Sequence, residues 1–255
     1  MSTSDPTPDQ QHALAGLIAR LADNKYFLGR HYAEWCSGAP TLESAVAAAA
    51  MAQDELGHAR ALYPLLKTLV EQPGPEVEPE TRTAFVNLPF LDTSFASWED
   101  FITANFLIDT ALTTIFEAAV TSSYEPLAGR SRKTIQEERM HFAHGEAWLR
   151  RLAREGGAVR SATEASLLRA WPETLCWFGP TGDGDPLFAS GALDATPDTL
   201  RARFLASVGP TLTAESLQLP LRQTASGAWE LTEPLPWDRW DAATYRLAPA
   251  LVPTP

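Results

Sequence analysis

The chain has 255 residues, 45% of them hydrophobic and 20% charged, enough to bury a sizeable core in one large domain or two small ones. Its 20 Lys plus Arg against 32 Asp plus Glu give a formal charge of -12, which repels phosphate backbones and anionic lipid, so neither nucleic acid nor a membrane is an expected partner. Two cysteines, Cys36 and Cys176, are too few for a disulfide scaffold and spaced for no thiolate metal site. With no signal-peptide pattern and no apolar run long enough to span a bilayer, the expectation is a cytoplasmic protein.

Residues 1–9 read as a flexible N-terminus. Apolar groups at Leu14, Leu17, Ile18, Leu21, Leu28, Tyr32 and Trp35 recur by threes and fours, which predicts a first helix over 10–37. The turn at 37–40 ends it, and Thr41 can cap a second helix reaching about Val70. So short a link makes the two helices antiparallel neighbours. Residues 71–94 hold several prolines and no helical stripe, and read as a long crossover. Ser97 with Asp100 looks like a capping box that opens a third helix running to Tyr124, with Pro126 and Gly129 breaking it. A fourth helix covers about 131–154 and stops at Gly156 and Gly157; a fifth follows over 163–178 and a short one over 197–208. Residues 209–255, with Trp229, Trp237 and Trp240, read as an irregular arm. Two short-linked pairs joined by one crossover is the connectivity of a ferritin-like four-helix bundle. The expected architecture is therefore all-α, with the bundle and its extra C-terminal helices within residues 10–208 and the arm after them.

Two of the five histidines follow a glutamate by three residues, in Glu55–His58 and Glu138–His141. On a helix, positions i and i+3 share a face, so each pair offers a carboxylate and an imidazole to a common point. Another glutamate stands 21 residues before each motif, Glu34 before Glu55 and Glu117 before Glu138, and the second set lies 83 residues after the first. One Glu from each of two helices and Glu-x-x-His from each of the other two is the ligand pattern of di-iron and di-manganese carboxylate bundles. Four carboxylates and two imidazoles match two divalent cations in charge and leave coordination positions open. Without compensation, burying four glutamates costs several kcal/mol per ion. The competing reading is a set of solvated helix faces that happen to align.

Asp54 and Glu137 each precede a motif glutamate and can reach across a pseudo-symmetric bundle to the outer ring nitrogens of His141 and His58, fixing their tautomers. Phe27, Phe106, Thr110, Thr113 and Thr121 fall on the same stripes as Glu34 and Glu117, and Ala47, Ala48, Met51 and Ala52 lie near Glu55. They read equally as an apolar substrate pocket with a few hydroxyls, fit for an aromatic or acyl group, and as ordinary core. Thr121 is the candidate hydroxyl on the oxygen side, against a plain backbone-bonded helix threonine. His31 and His144 read as structural.

The segments YAEWCSGAP at 32–40, AQDELGHAR at 52–60 and EERMHFAHGEAWLRRL at 137–152 resemble the phenylacetyl-CoA oxygenase (epoxidase) subunits of bacterial phenylacetate catabolism, over about residues 15–180. The resemblance implies a ferritin-like fold, a non-heme centre of two Fe ions with Mn/Fe as a variant, and O2 as co-substrate. It implies epoxidation or hydroxylation of an aromatic group carried as a CoA thioester, with electrons from a separate reductase and related oxygenase subunits in an oligomer. By matching motif it assigns Glu34, Glu55, His58, Glu117, Glu138 and His141 to the metals, Asp54 and Glu137 to the histidines and Thr121 to the oxygen side. Such subunits come in a catalytic kind and a structural kind that has lost ligands; six matching ligands favour the catalytic kind. The alternatives are a scaffold subunit and a ferroxidase-type protein that oxidises Fe(II) without an organic substrate. For CoA phosphates the nearest basic residues are Lys25 with Arg30, or Arg130, Arg132 and Lys133.

Overall fold

Thr7 opens the first helix with a reciprocal cap: its hydroxyl accepts from the Gln10 N–H while the Gln10 side chain accepts from the Thr7 N–H. From there α1 runs over Pro8–Glu34 and α2 over Leu42–Leu69, where Thr41 Oγ1 accepts from the Ser44 N–H in the first turn. The computed structural model describes residues 7–69, 82–182 and 184–248. The expectation of a flexible segment at 1–9 lies almost wholly outside them, as does the first half of the crossover.

The described part of the crossover is tied to α1 by two buried polar side chains. The Asp23 carboxylate accepts from Arg82, from the Val86 N–H at 2.9 Å and from the Tyr63 hydroxyl of α2 at 2.8 Å, and Asn24 Oδ1 accepts from the Leu88 N–H at 2.9 Å. Past a 3-10 turn at Pro89–Leu91, Ser97 caps α3, Trp98–Thr103, through the Asp100 N–H. A π-helical segment, Ala104–Ile108, joins it to α4, Asp109–Ala118. The whole stretch Trp98–Ala118 is long and apolar enough to cross a membrane, but 89% of its most apolar window is buried inside the protein, as befits the central helix of a bundle.

The fourth bundle helix starts earlier than the sequence predicts. Pro126 sits inside the first turn of α5, Glu125–Glu155, where its missing N–H has no helical partner to lose, so it begins the helix rather than breaking it. Gly156 and Gly157, both at positive φ, separate α5 from α6, Gly157–Cys176. After the short α7, Pro186–Ala189, α8 runs over Pro197–Ala214, beyond the predicted end at 208. The C-terminal arm is more regular than expected, with two small antiparallel hairpins, β1 Leu221–Gln223 with β2 Trp229–Leu231, and β3 Trp240–Asp241 with β4 Arg246–Leu247. It lies against the helices. A Cβ on Gly209 of α8 would stand 2.5 Å from the Trp229 ring, and the Arg20 guanidinium of α1 lies 3.5 Å from the centre of the Tyr245 ring. One hydrophobic core, drawn from all the long helices, runs through the molecule, and the fold is an all-α, ferritin-like bundle with additional C-terminal elements.

Candidate metal centre

A lysine stands at the heart of the bundle. Lys25 of α1 is fully buried, and its Nζ lies 2.9 Å from Glu55 Oε2 of α2, 2.5 Å from Asp109 Oδ1 of α4 and 2.6 Å from Glu138 Oε1 of α5. All four bundle helices thus meet at one ammonium. His141 of α5 closes the group: its Nδ1 is 3.2 Å from both Glu55 Oε1 and Asp109 Oδ2, and its Nε2 is 3.3 Å from Asp54 Oδ2. His58 sits beside it with Nε2 3.3 Å from Glu137 Oε2 and 3.4 Å from Glu138 Oε1, and Nδ1 3.3 Å from the Thr134 hydroxyl. The Thr113 hydroxyl donates to Glu138 Oε2 at 3.3 Å.

The electrostatics follow from this crowding. Burial alone lowers the pKa of Lys25, but Asp109, Glu138 and Glu55 outweigh it and hold the ammonium well above its ordinary value. His141 is likewise penalised by burial and carried well above the histidine range by hydrogen bonds to Asp109, Glu138 and Glu55. Burial opposes ionisation of Asp109 too, yet Lys25 and His141 keep it far below the usual carboxylate range. Burial and the neighbouring Asp109 push Glu55 up to about 8 despite Lys25, and raise Glu138. Burial and the Lys25 charge push His58 down to about 3, so it stays neutral. Three carboxylates against the Lys25 and His141 cations leave one negative charge, and the proton retained on Glu55 removes it. The cluster is neutral as it stands.

Glu55, Asp109, Glu138 and His141 offer ligand atoms within 4.8 Å of one another, a buried Glu/Asp/His group that could hold a metal ion. Lys25 Nζ occupies the point they surround. Two divalent ions would bring four positive charges to three carboxylates and an ammonium, a surplus that a buried site cannot carry. A di-metal centre therefore does not fit this donor set with Lys25 in place, and a single cation fits only where the ammonium now stands.

Of the predicted ligands, the structure brings Glu55, His58, Glu138 and His141 together and leaves Glu34 and Glu117 apart. The contacts Lys25–Glu55 and Gly29–Leu56 set the register of α1 on α2. In an antiparallel pair with that register, the residue facing Glu55 lies near 25–30, and Glu34 is displaced along the helix by roughly 9 Å at 1.5 Å per residue. Its side chain is 42% exposed and lies 3.6 Å from His31. On α4 it is Thr113 that touches Glu138, while Glu117, one turn further on, is exposed at the rim of a cavity. Asp54 and Glu137 contact His141 and His58 as described, each about two-fifths exposed.

The remaining predicted residues divide. Thr110 and Thr113 line that cavity, and Phe106 is fully buried behind it, stacked on Phe142 with ring centres 5.7 Å apart. Phe27 instead packs edge-on to Phe85 of the crossover, at 5.0 Å. Thr121 is exposed in the turn after α4. Sequence reasoning missed Lys25 and Asp109, whose signal was available: they stand 30 and 29 residues before Glu55 and Glu138, near the offset that the hairpin register demands. A search restricted to glutamates passes over both.

The sequence profile described as phenylacetic acid catabolic protein matches residues 1–232. The chain is also similar to one of the subunits of the 1,2-phenylacetyl-CoA epoxidase of Escherichia coli (strain K12), at 27% identity over 212 residues, spanning 82% of this chain and 85% of the relative.

Proposed function

We propose, for a chain that belongs to the phenylacetic acid catabolic protein family, the role of a structural helical subunit in a multicomponent oxygenase acting on an aromatic acyl-CoA thioester. Its own centre is closed by the Lys25 ammonium in place of metal. The observation that carries this reading is the approach of Lys25 Nζ to 2.5–2.9 Å of carboxylates from three other helices. A metal ion in a ferritin-like bundle clasps four helices through their ligands, and here one side chain does that work with a charge that cannot change redox state. The relative is named as a subunit of a phenylacetyl-CoA epoxidase, which supports the assembly and the substrate class, with oxygen chemistry and reductase contact assigned to a partner subunit. In the cytoplasm such a subunit would brace that partner through its helical faces.

The test is turnover of the reconstituted assembly with His58→Gln in this chain. His58 is neutral and donates or accepts only within the cluster, so the reading expects aromatic acyl-CoA turnover within about twofold of the unmodified complex. A loss of about 100-fold or more, with folding and complex stoichiometry unchanged, overturns it, since that is the size of effect expected when a metal ligand is removed. A second reading is favoured by the 4.8 Å grouping of Glu55, Asp109, Glu138 and His141: one iron-type cation displaces Lys25 when the assembly forms. Metal bound to the complex but absent from the isolated chain would decide for it.

A further inference from the structure

A cavity of about 240 Å³ lies between α4 and α5, with Ser207 of α8 at its rim, directly behind the Asp109 and Glu138 carboxylates. Its long walls are apolar. The hydroxyls of Thr110 and Thr114 are engaged by the helix's own carbonyls, on Phe106 O at 2.6 Å and Thr110 O at 2.9 Å. Their methyl groups are left to line the space with Ile135 and Phe142. Phe142 stacks on the buried Phe106 at an interplanar angle of 28°, so the wall is a flat aromatic surface on which a further ring can lie.

At the inner end stands Asn105, in the π-helical segment and fully buried. Single π turns of this kind are often found at functional sites. His144 Nδ1 is 3.1 Å from Asn105 Oδ1. Burial and the nearby His141 lower the pKa of His144 to about 4, so the ring is neutral and donates from Nδ1. That fixes the amide with its oxygen towards His144 and its NH2 group free: Nδ2 is buried with no hydrogen-bond partner among the described residues. Room for this arrangement is made by Gly145, where a Cβ would lie 2.9 Å from Asn105 Oδ1.

We infer that this cavity binds an uncharged, single-ring aromatic carbonyl compound. The ring lies against Phe142 and between the Thr110, Thr114 and Ile135 walls, and its carbonyl accepts from Asn105 Nδ2. Volume sets the upper limit, because sites for drug-sized molecules run roughly 300–1,000 Å³, so one ring with a short side chain fits and a nucleotide does not. Charge sets the other limit. Asp109 and Glu138 at the inner wall and Glu117 at the mouth disfavour a carboxylate, and only Arg139 at the rim offsets them. The cavity has this chemistry whether or not the chain works inside an oxygenase, so the two readings can fail separately.

Titration calorimetry of the full, metal-free chain with phenylacetamide and with phenylacetate tests it. One saturable site for phenylacetamide is expected, with phenylacetate weaker by about tenfold or more, the range for an unpaired charge beside buried carboxylates. Filling the cavity with Ile135→Trp, or at its rim with Ser207→Trp, should weaken phenylacetamide by about tenfold or more while circular dichroism and melting stay unchanged. The absence of saturable phenylacetamide binding overturns the inference. So does equal binding of amide and acid, or binding indifferent to whichever filling variant folds.

Discussion

The two helix pairs of the bundle are built on one plan and finished differently. Both carry Glu-x-x-His on their second helix, Glu55–His58 on α2 and Glu138–His141 on α5, and both point these groups at the axis. The α1–α2 pair is closed: a Cβ on Gly29 would stand 2.7 Å from Leu56 Cγ and 3.0 Å from its backbone nitrogen, and the group facing the motif is a cation, Lys25. The α4–α5 pair is open, with a π-helical turn before α4, a cavity beside Glu138, and a carboxylate, Asp109, facing the motif. One half thus supplies positive charge and tight packing, and the other negative charge and space. The pairing of Lys25 with Asp109 across the axis makes the centre neutral without a metal ion.

If that charge balance holds the bundle, Lys25→Met breaks it most severely. Removing one partner of a buried ionic cluster strands the others, which costs about 3–5 kcal/mol; urea unfolding should show it, and a loss under about 1 kcal/mol would mean the helices do not depend on the ammonium. Next in size is Gly29→Ala. Its methyl meets the Leu56 and Ala52 backbones, so it should destabilise by roughly 1–3 kcal/mol through overpacking. Gly145→Ala on the open side meets mainly the Asn105 side chain, which can turn towards the cavity. The gain in helix propensity of nearly 1 kcal/mol offsets much of the crowding, and a melting temperature close to the parent is expected. Equal losses at the two glycines would erase the distinction between closed and open halves.

The pH dependence sharpens the same contrast. Glu55 has a folded pKa of about 8, above its unfolded value of 4.5. A carboxyl with a raised pKa stabilises the fold below its unfolded pKa, and that contribution is lost as pH rises towards 8. Asp109 is depressed below its unfolded value of 3.8, so its contribution is present above that pH and is lost on acidification. Unfolding measured from pH 5 to 8 should show stability falling, and Glu55→Gln should flatten that part of the curve while leaving the acid limb in place. An unchanged slope in the variant would place the titration elsewhere.

Much of this architecture is legible in the sequence because it rests on local signals. Threes-and-fours periodicity, the Thr7, Thr41 and Ser97 caps and the Gly156–Gly157 break mark the helices, and the prolines after Glu71 mark the crossover. Pro126 misleads because the same residue ends one helix or begins another according to which turn it occupies. At the centre, the two Glu-x-x-His motifs are readable because i and i+3 are fixed by the helix itself. Their partners across the bundle are not, since they depend on the register between helices, which the turn at 35–41 does not disclose. A repeat of glutamates 21 residues upstream is therefore persuasive on paper and points to Glu34 and Glu117, while the groups that meet the motifs are Lys25 and Asp109.

The account stands on the ammonium of Lys25 taking the place of metal, and anaerobic loading with ferrous iron followed by metal analysis of the folded chain tests it most directly. Iron far below one equivalent per chain is predicted for the parent, rising in Lys25→Glu, which exchanges the cation for the missing fourth carboxylate. Two tightly bound iron ions per chain, with Lys25 unaltered and the fold intact, would contradict it.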